Sequence, residues 1–418
     1  MVEASGLDSG REMSIGQRIA MYRKARGLTQ ESLAMRLNRS KSWVTKIERG
    51  ERPIDSIPTI LQVARALGVE IQQLTGRPYF PEPSERGTKS EGLYPLRRVL
   101  MRYDAIHGTT HRMSDGLPPP IADLRREAER ARQLYNVSPN NFSAVVPFLP
   151  ALIGQAQLAA RQASERDRGV AHAVLANLYR LAALELRQYG DMDLGWIAAD
   201  RALLAAGHSG DDLLVASCAA SMTVQLMVQG QPEEAVGLAM DGATAIGPHL
   251  KKSKSPKSLA IWGALHLYAA QAAARADDPK ESRRLLEIAT AAAEELGADR
   301  EEYWLFFGPT NVGIQEAGIL VDLTEPVEAL RRAATVDPNR LRSVNRRCYY
   351  HLHAARANGL RRQDHEAIRE LLAAEQVAPE LVRWDPMVRE LVHAMLERER
   401  RSLNPNLRGL AGRLGMLT

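Results

Sequence analysis

The sequence is poor in cysteine, in aromatic residues and in unbroken apolar runs, and each shortage narrows what the chain can be. Cys218 and Cys348 are its two cysteines, far apart and without paired spacing. That excludes a disulfide framework or a cysteine-rich metal site and makes a reducing cytoplasm the expected compartment. Aromatic residues make up 5% of the chain, while Ala, Leu and Arg abound. Such a bias suits packed helices and suits strands poorly. The most apolar stretch, Leu213 to Val228, is interrupted by Ser217, Ser221, Thr223 and Gln225 and is too short to span a bilayer. The opening residues, MVEASGLDSGREMS, carry no apolar core of the kind a signal peptide or membrane anchor needs. A cytoplasmic protein without membrane contact is expected.

Catalytic signatures are missing as well. The sequence has no Walker loop, no strand-anchored glycine-rich fingerprint and no nucleophile elbow. His351 and His353 stand two apart in a helical pattern, so their side chains diverge by roughly 200° and cannot chelate together. His107 and His111 flank a glycine-containing loop without cysteine or carboxylate company. The sequence therefore predicts no catalytic residue, no metal ligand and no cofactor.

Charge is present, and it is unevenly spread. Residues 14–80 hold twelve Lys/Arg against five Asp/Glu, a surplus of seven, whereas the whole chain is +5. The remainder is thus slightly acidic. A basic patch attracts phosphates whatever their sequence, with salt-sensitive affinity. The 418 residues allow two or more domains, and the basic one lies at the N-terminal end.

Within it, Leu28 to Gly50 (LTQESLAMRLNRSKSWVTKIERG) reads as two short helices joined by a tight turn. Thr29 caps the first, and Glu31 sits in its first turn where the helix dipole favours an anion. Leu33 and Leu37 share a face, and Ala34 lets a second helix cross closely. Asn38 supplies the turn, because asparagine tolerates left-handed backbone angles. Ser40 caps a second helix in which Val44 and Ile47 point inward while Lys41, Ser42, Thr45 and Lys46 point outward. A buried stripe backing a row of hydrogen-bonding side chains is what base reading in a major groove requires.

Residues 14–76 resemble the helix-turn-helix domains of the phage-repressor/Cro class, the XRE type. The likeness is carried by Ile15, Ile19, Arg23, Gly27-Leu28-Thr29-Gln30, Leu33-Ala34, Leu37, Val44, Ile47-Glu48-Arg49-Gly50 and Ala66-Leu67-Gly68-Val69. The resemblance implies a five-helix DNA-binding domain in which Arg23 pairs with Glu48. Two residues depart from the pattern: Asn38 replaces the usual turn glycine, and Arg39 replaces the apolar residue after it. The outward positions make Lys41, Ser42 and Lys46 candidate base contacts, with Thr45 beside them. Gln30 and Ser40 at helix N-termini, and Arg49 and Arg52 after the recognition helix, are candidate phosphate contacts. Trp43 either touches DNA or shields the turn.

A Pro/Gly/Ser-rich charged stretch over residues 77–92 reads as a linker. From residue 93 to 418 the pattern is helical with a recurring unit. Turns fall at Gly190-Asp191, Gly230-Gln231-Pro232, Asp277-Asp278-Pro279, Thr324-Glu325-Pro326 and Arg362-Gln363-Asp364. Five residues after each turn's first residue stands a small one: Gly195, Ala235, Ser282, Ala329 or Ala367. Paired helices with small residues at the crossing build a superhelical array, since no single pair buries its apolar face alone. The expected fold is all-α: a helix-turn-helix domain followed by an array resembling degenerate tetratricopeptide repeats.

Leu149–Ile153, Trp196–Leu203, Phe307–Val312 and Leu371–Arg383 are similar to actinobacterial XRE-type regulators with tetratricopeptide-like C-terminal regions. The layout is also similar to quorum-sensing regulators of Gram-positive bacteria, whose helical-repeat domain binds a short peptide. Together these imply a sequence-specific transcriptional regulator whose array senses a peptide, a small molecule or a protein partner. The alternative is an interaction scaffold delivered to DNA by its helix-turn-helix domain. The expected partners are double-stranded DNA with a two-fold symmetric operator, a second copy of the chain, and an effector in the array. Counting thirteen residues back from four turns gives Asn177, Ser217, Ala264 and Asn311, on the helices expected to line the concave face. Asn177 and Asn311, with Tyr268, Arg346 and Tyr349, are candidate ligand contacts. Tyr303 to Asn311 (YWLFFGPTN) is the richest aromatic cluster and reads as an inter-repeat elbow or a pocket wall, which adds Trp304 and Phe307.

Overall fold

The computed structural model describes residues 13–52, 54, 57–69, 73–74, 93–101, 117–253, 255–398 and 404–416. The N-terminal tail, the Ser56 cap, most of the short helix expected near Ile71–Leu74, the linker 77–92, His107, His111 and the end of the run Glu397–Arg401 lie outside the described residues.

Among the described residues, four helices build the N-terminal module: α1 (Ile15–Ala25), α2 (Gln30–Arg36), α3 (Lys41–Glu48) and α4 (Ile57–Leu67). Their starts are written in the caps. Ser14 and Gln17 make a reciprocal capping box on α1; Thr29 Oγ1 accepts from the Ser32 amide, and Ser40 Oγ from the Trp43 amide. Each such cap contributes about 1 kcal/mol. Asn38 takes the left-handed turn position with φ 51°. Ile19, Leu33, Val44, Ile47, Ile60 and Leu67 meet in the core, all at most 3% exposed, and burial of each contributes about 1.5–3 kcal/mol. The α1–α3 crossing is tight at Gly16, where a Cβ would stand 2.2 Å from the Ile47 carbonyl oxygen.

The rest is the array. Helices α5 (residues 93–100), α6 (Ile121–Val137), α7 (Asn141–Val145) and α8 (Leu149–Gln162) lead into five antiparallel pairs. These are α9 (Arg168–Gln188) with α10 (Met192–Ser209), then α11 (Asp212–Val228) with α12 (Pro232–Ala245). After the short α13 (Gly247–Lys252) come α14 (Pro256–Arg275) with α15 (Pro279–Leu296). Next are α16 (Pro309–Asp322) with α17 (Pro326–Ala333), and α18 (Val344–Leu360) with α19 (Asp364–Val377). Helices α20 (Pro379–Trp384), α21 (Pro386–Arg398) and α22 (Pro405–Arg413) follow.

All five intra-pair turns fall where the sequence spacing predicts, and each begins on a left-handed residue: Gly190, Gly230, Asp277, Thr324 and Arg362. Three of these are not glycine, so the turns rest on packing on either side rather than on backbone permissiveness alone. The small residues after them are buried at the helix crossings; Ser282 also donates to the Ala270 carbonyl at 2.8 Å.

One element departs from an all-helical reading. Residues Arg300–Glu302 (β1) pair antiparallel with Leu305–Phe307 (β2) in a two-stranded hairpin. Its loop is Tyr303-Trp304, both left-handed, with φ 48° and 61°. That is the backbone twist a two-residue hairpin needs, usually supplied by Asn-Gly. Two bulky residues hold it here at a cost of about 1–2 kcal/mol each.

Candidate DNA-reading face and sensor groove

The module is tied together by one buried ion-pair network. Arg23 Nε and Nη2 donate to the two carboxylate oxygens of Glu48 at 2.5 and 2.9 Å, and Nη1 donates to the Leu28 carbonyl at 2.7 Å. Both side chains are under 10% exposed. Gln30 Nε2 donates to the same carboxylate at 2.8 Å, and Thr45 Oγ1 donates to Gln30 Oε1 at 3.0 Å. This network fixes α3 against α1 and α2. It also engages Gln30 and Thr45, two of the residues expected to meet DNA.

On the solvent side, Lys41, Ser42 and Arg49 are exposed and Lys46 is half-buried. The contacts of Lys41 with Glu31 at 3.8 Å and of Arg49 with Glu51 at 3.7 Å join well-exposed partners, so they are worth little. Trp43 turns inward and is 5% exposed. It packs in the module core with the Arg39 guanidinium 5.8 Å from its ring centroid, so of the two readings it shields the turn.

Ser40 and Arg52, two expected phosphate contacts, face the array instead. Ser40 Oγ donates to Asp277 Oδ2 at 2.5 Å; Arg52 Nη1 donates to Asp277 Oδ1 at 3.2 Å, and its Nη2 to the Ala274 and Arg275 carbonyls. Arg39 meets Glu233 at 2.7 Å and the Gly230 carbonyl at 3.2 Å. The docking therefore uses two neighbouring turns of the array, those after α11 and α14. Their helix C-termini present carbonyls and a negative dipole end, which guanidinium groups complement. The replacement of an apolar residue by Arg39 has its explanation here.

The first helices of the five pairs, with α6 and the hairpin tip, enclose a groove with a cavity volume of about 170 Å³. Of the seven residues expected to contact a ligand, Tyr268, Trp304, Arg346 and Tyr349 line it. The other three do not. Phe307 is fully buried against Gly263, Asn311 donates to the Phe306 carbonyl at 2.8 Å, and Asn177 accepts from Arg180 at 3.3 Å. These three belong to the packing; Asn177 and Asn311 stand on inner helices but do not line the groove.

The sequence reading missed the arginines. Arg132, Arg180, Arg187 and Arg275 line the groove beside Arg346, with Asp322 as the one lining carboxylate among the described residues. Arg132 is held by Glu301 at 2.9 Å and by the Trp304 carbonyl, and packs among the Tyr135, Trp304 and Phe306 rings. Arg180 is fully buried; it donates to Ser217, Ser221 and the Tyr303 carbonyl. Burial pulls its guanidinium below its ordinary value. Arg275 and Arg356 grip Asp322. Burial alone would push that carboxyl up, but the two guanidinium groups hold it well below the usual carboxylate range. His351 pairs with Glu370, whereas His353 is enclosed beside Gly318, where burial pulls its pKa down to about 3. A signal for the groove did exist in the sequence: Arg180 interrupts an otherwise apolar run of α9.

Among the described residues no helix is long and apolar enough to cross a membrane. Residues 14–75 match a family described as a helix-turn-helix domain. The chain is 31% identical over 134 residues to the immunity repressor protein of Bacillus phage phi105, an alignment covering 29% of this chain and 92% of that protein. Among solved structures it is similar to Bacillus thuringiensis PlcR in complex with the peptide PapR7 and DNA. That likeness has 14% identity, 68% coverage of this chain and 96% of the other, and a TM-score of 0.27.

Proposed function

The chain belongs to the XRE-type, phage-repressor-like family of helix-turn-helix regulators, and from that premise we propose a ligand-responsive, homodimeric DNA-binding regulator with three working parts. The first is the outer face of α3, where Lys41, Ser42 and Lys46 meet base edges and Arg49 meets a phosphate. Gln30 and Thr45 act behind that face, holding it through Glu48. The second is the array, residues 93–418, which supplies the dimer contact that the small module, residues 14–76, has little apolar surface to make. Two copies then place two recognition helices ~34 Å apart on a two-fold symmetric operator. The third is the groove in the array, where an effector binds.

The observation that carries this reading is the docking of the module on the array. Ser40 and Arg52 stand where a helix N-terminus and a following arginine would meet the DNA backbone, and both are bonded to Asp277. DNA and the array compete for them. Arg275 links the two sites: its carbonyl holds Arg52, while its side chain faces the groove and Asp322. An effector that alters Arg275 thereby alters the grip on the module.

Genome-wide binding of the purified full-length protein, beside the Lys41→Ala/Lys46→Ala double variant at two salt concentrations, tests the reading. Sharp two-fold sites that disappear in the variant are expected. Weak, sequence-blind binding that the substitutions leave unchanged would overturn it.

A further inference from the structure

We infer that the groove is a site for a small organic anion, one carrying a phosphate or carboxylate head on a flat ring. The inference deepens the sensor reading above and rests on it. Its ground is a charge imbalance in a place where imbalance is costly. A buried guanidinium normally has a carboxylate beside it, because removing a charge from water is unfavourable unless another charge compensates. Among the described residues, buried Arg180 and half-buried Arg187 and Arg346 have no carboxylate within ion-pair distance. Arg180 makes do with two serines, Asn177 and a backbone carbonyl. Among the described residues, Arg187 reaches only the Tyr349 hydroxyl, at 3.4 Å, and its Nε is buried with no partner. Arg346 reaches only the Tyr268 hydroxyl, at 3.1 Å.

All three open into the same groove, beside Tyr268, Tyr349 and Trp304. Guanidinium forks match the geometry of a carboxylate or phosphate, and flat side walls match a ring. The strained Tyr303-Trp304 loop lies at the rim, and its carbonyls accept from Arg180 and Arg132, in the way an anion's oxygens would. Strain retained at the rim of a cavity is where a binding site keeps it.

Phenyl phosphate and benzoate share a ring and differ in the head group; inorganic phosphate has the head without the ring. Thermal melting and tryptophan fluorescence of the full chain, titrated with each at constant ionic strength, separate the sources. Phenyl phosphate or benzoate, whichever head the site takes, raises the melting temperature in a saturable way, and inorganic phosphate binds at least tenfold more weakly. Arg346→Gln and Arg187→Met lose at least tenfold in affinity, and Arg346→Lys recovers part of it.

A merely structural arginine gives a different signature. If Arg187 served the fold, Arg187→Met would melt lower; here its unliganded melting point equals or exceeds that of the unsubstituted chain, because a partly desolvated charge without an ion-paired carboxylate has been removed. A lower melting point for Arg187→Met, no response to any of the three anions, or equal responses in the variants would overturn the inference. DNA affinity on the same samples separates the two readings. Saturable anion binding with unchanged DNA affinity supports the site and removes the sensor, whereas intact DNA binding with no anion response removes the site alone.

Discussion

The module pairs its buried arginines with acids, whereas the groove pairs Arg132 and Arg275 with acids and leaves others without one. In the module, Arg23 lies in the carboxylate fork of Glu48, and Arg52 closes on Asp277. In the groove, Arg180, Arg187 and Arg346 meet hydroxyls and carbonyls but no carboxylate. The same side chain serves two ends. With a counter-ion it fastens one element to another and holds a surface in place for DNA. Without one it stores an unmet demand for negative charge, and a molecule from outside is what meets it. The difference teaches that the regulator's rigid and responsive parts are divided by where the acids are, not by where the bases are.

The largest effect comes from breaking the paired side of the contrast. Glu48→Ala leaves Arg23 buried without its partner and also releases Gln30, at an expected cost of about 3–5 kcal/mol. Circular dichroism melting should show the module unfolding early while the array's main transition stays in place; an unchanged first transition would show the pair to be ornamental.

Acid sharpens the other side. His353 is enclosed near Arg356, Arg275 and Arg346, and burial foremost pulls its pKa from 6.5 to about 3. The unfolded chain binds a proton there that the folded array refuses, so this contribution to stability is whole above pH 6.5 and is lost as pH falls. The loss reaches about 3 kcal/mol by pH 4. Urea unfolding from pH 7 to 4 checks it: His353→Gln should flatten the fall, and a slope identical to the unsubstituted chain's would place the acid sensitivity elsewhere.

Arg49 belongs to neither class, being exposed and loosely paired with Glu51. Arg49→Ala should weaken binding evenly across operator variants and lower the slope of log affinity against log salt by about 1. A selective loss at one base pair would make it a base contact instead.

Much of the fold was legible because it is written in local signals. Turn spacing located five left-handed turns, even where Asp277, Thr324 and Arg362 stand in for glycine. Capping residues placed α2 and α3, and the Arg23–Glu48 pair followed from the family pattern. The hairpin was not legible, since Tyr303-Trp304 lacks every turn residue that marks a two-residue loop. Nor was the docking. Ser40 and Asp277 are 237 positions apart, and a serine that caps a helix gives no sign that its hydroxyl proton goes to another domain. For the groove, aromatic residues drew the eye to Trp304 and Phe307, but only the first lines it, because Trp304 sits in the hairpin loop at the rim while Phe307 packs against Gly263.

The measurement that bears most directly on the account is the affinity of Asp277→Ala for an operator, compared with the unsubstituted chain at one salt concentration. If the array holds the module by Ser40 and Arg52, cutting that hold frees both for the DNA backbone, and the variant binds at least about threefold tighter, a gain of about 0.6 kcal/mol. Equal or weaker binding by a folded Asp277→Ala protein would contradict the competition between array and DNA on which the account rests.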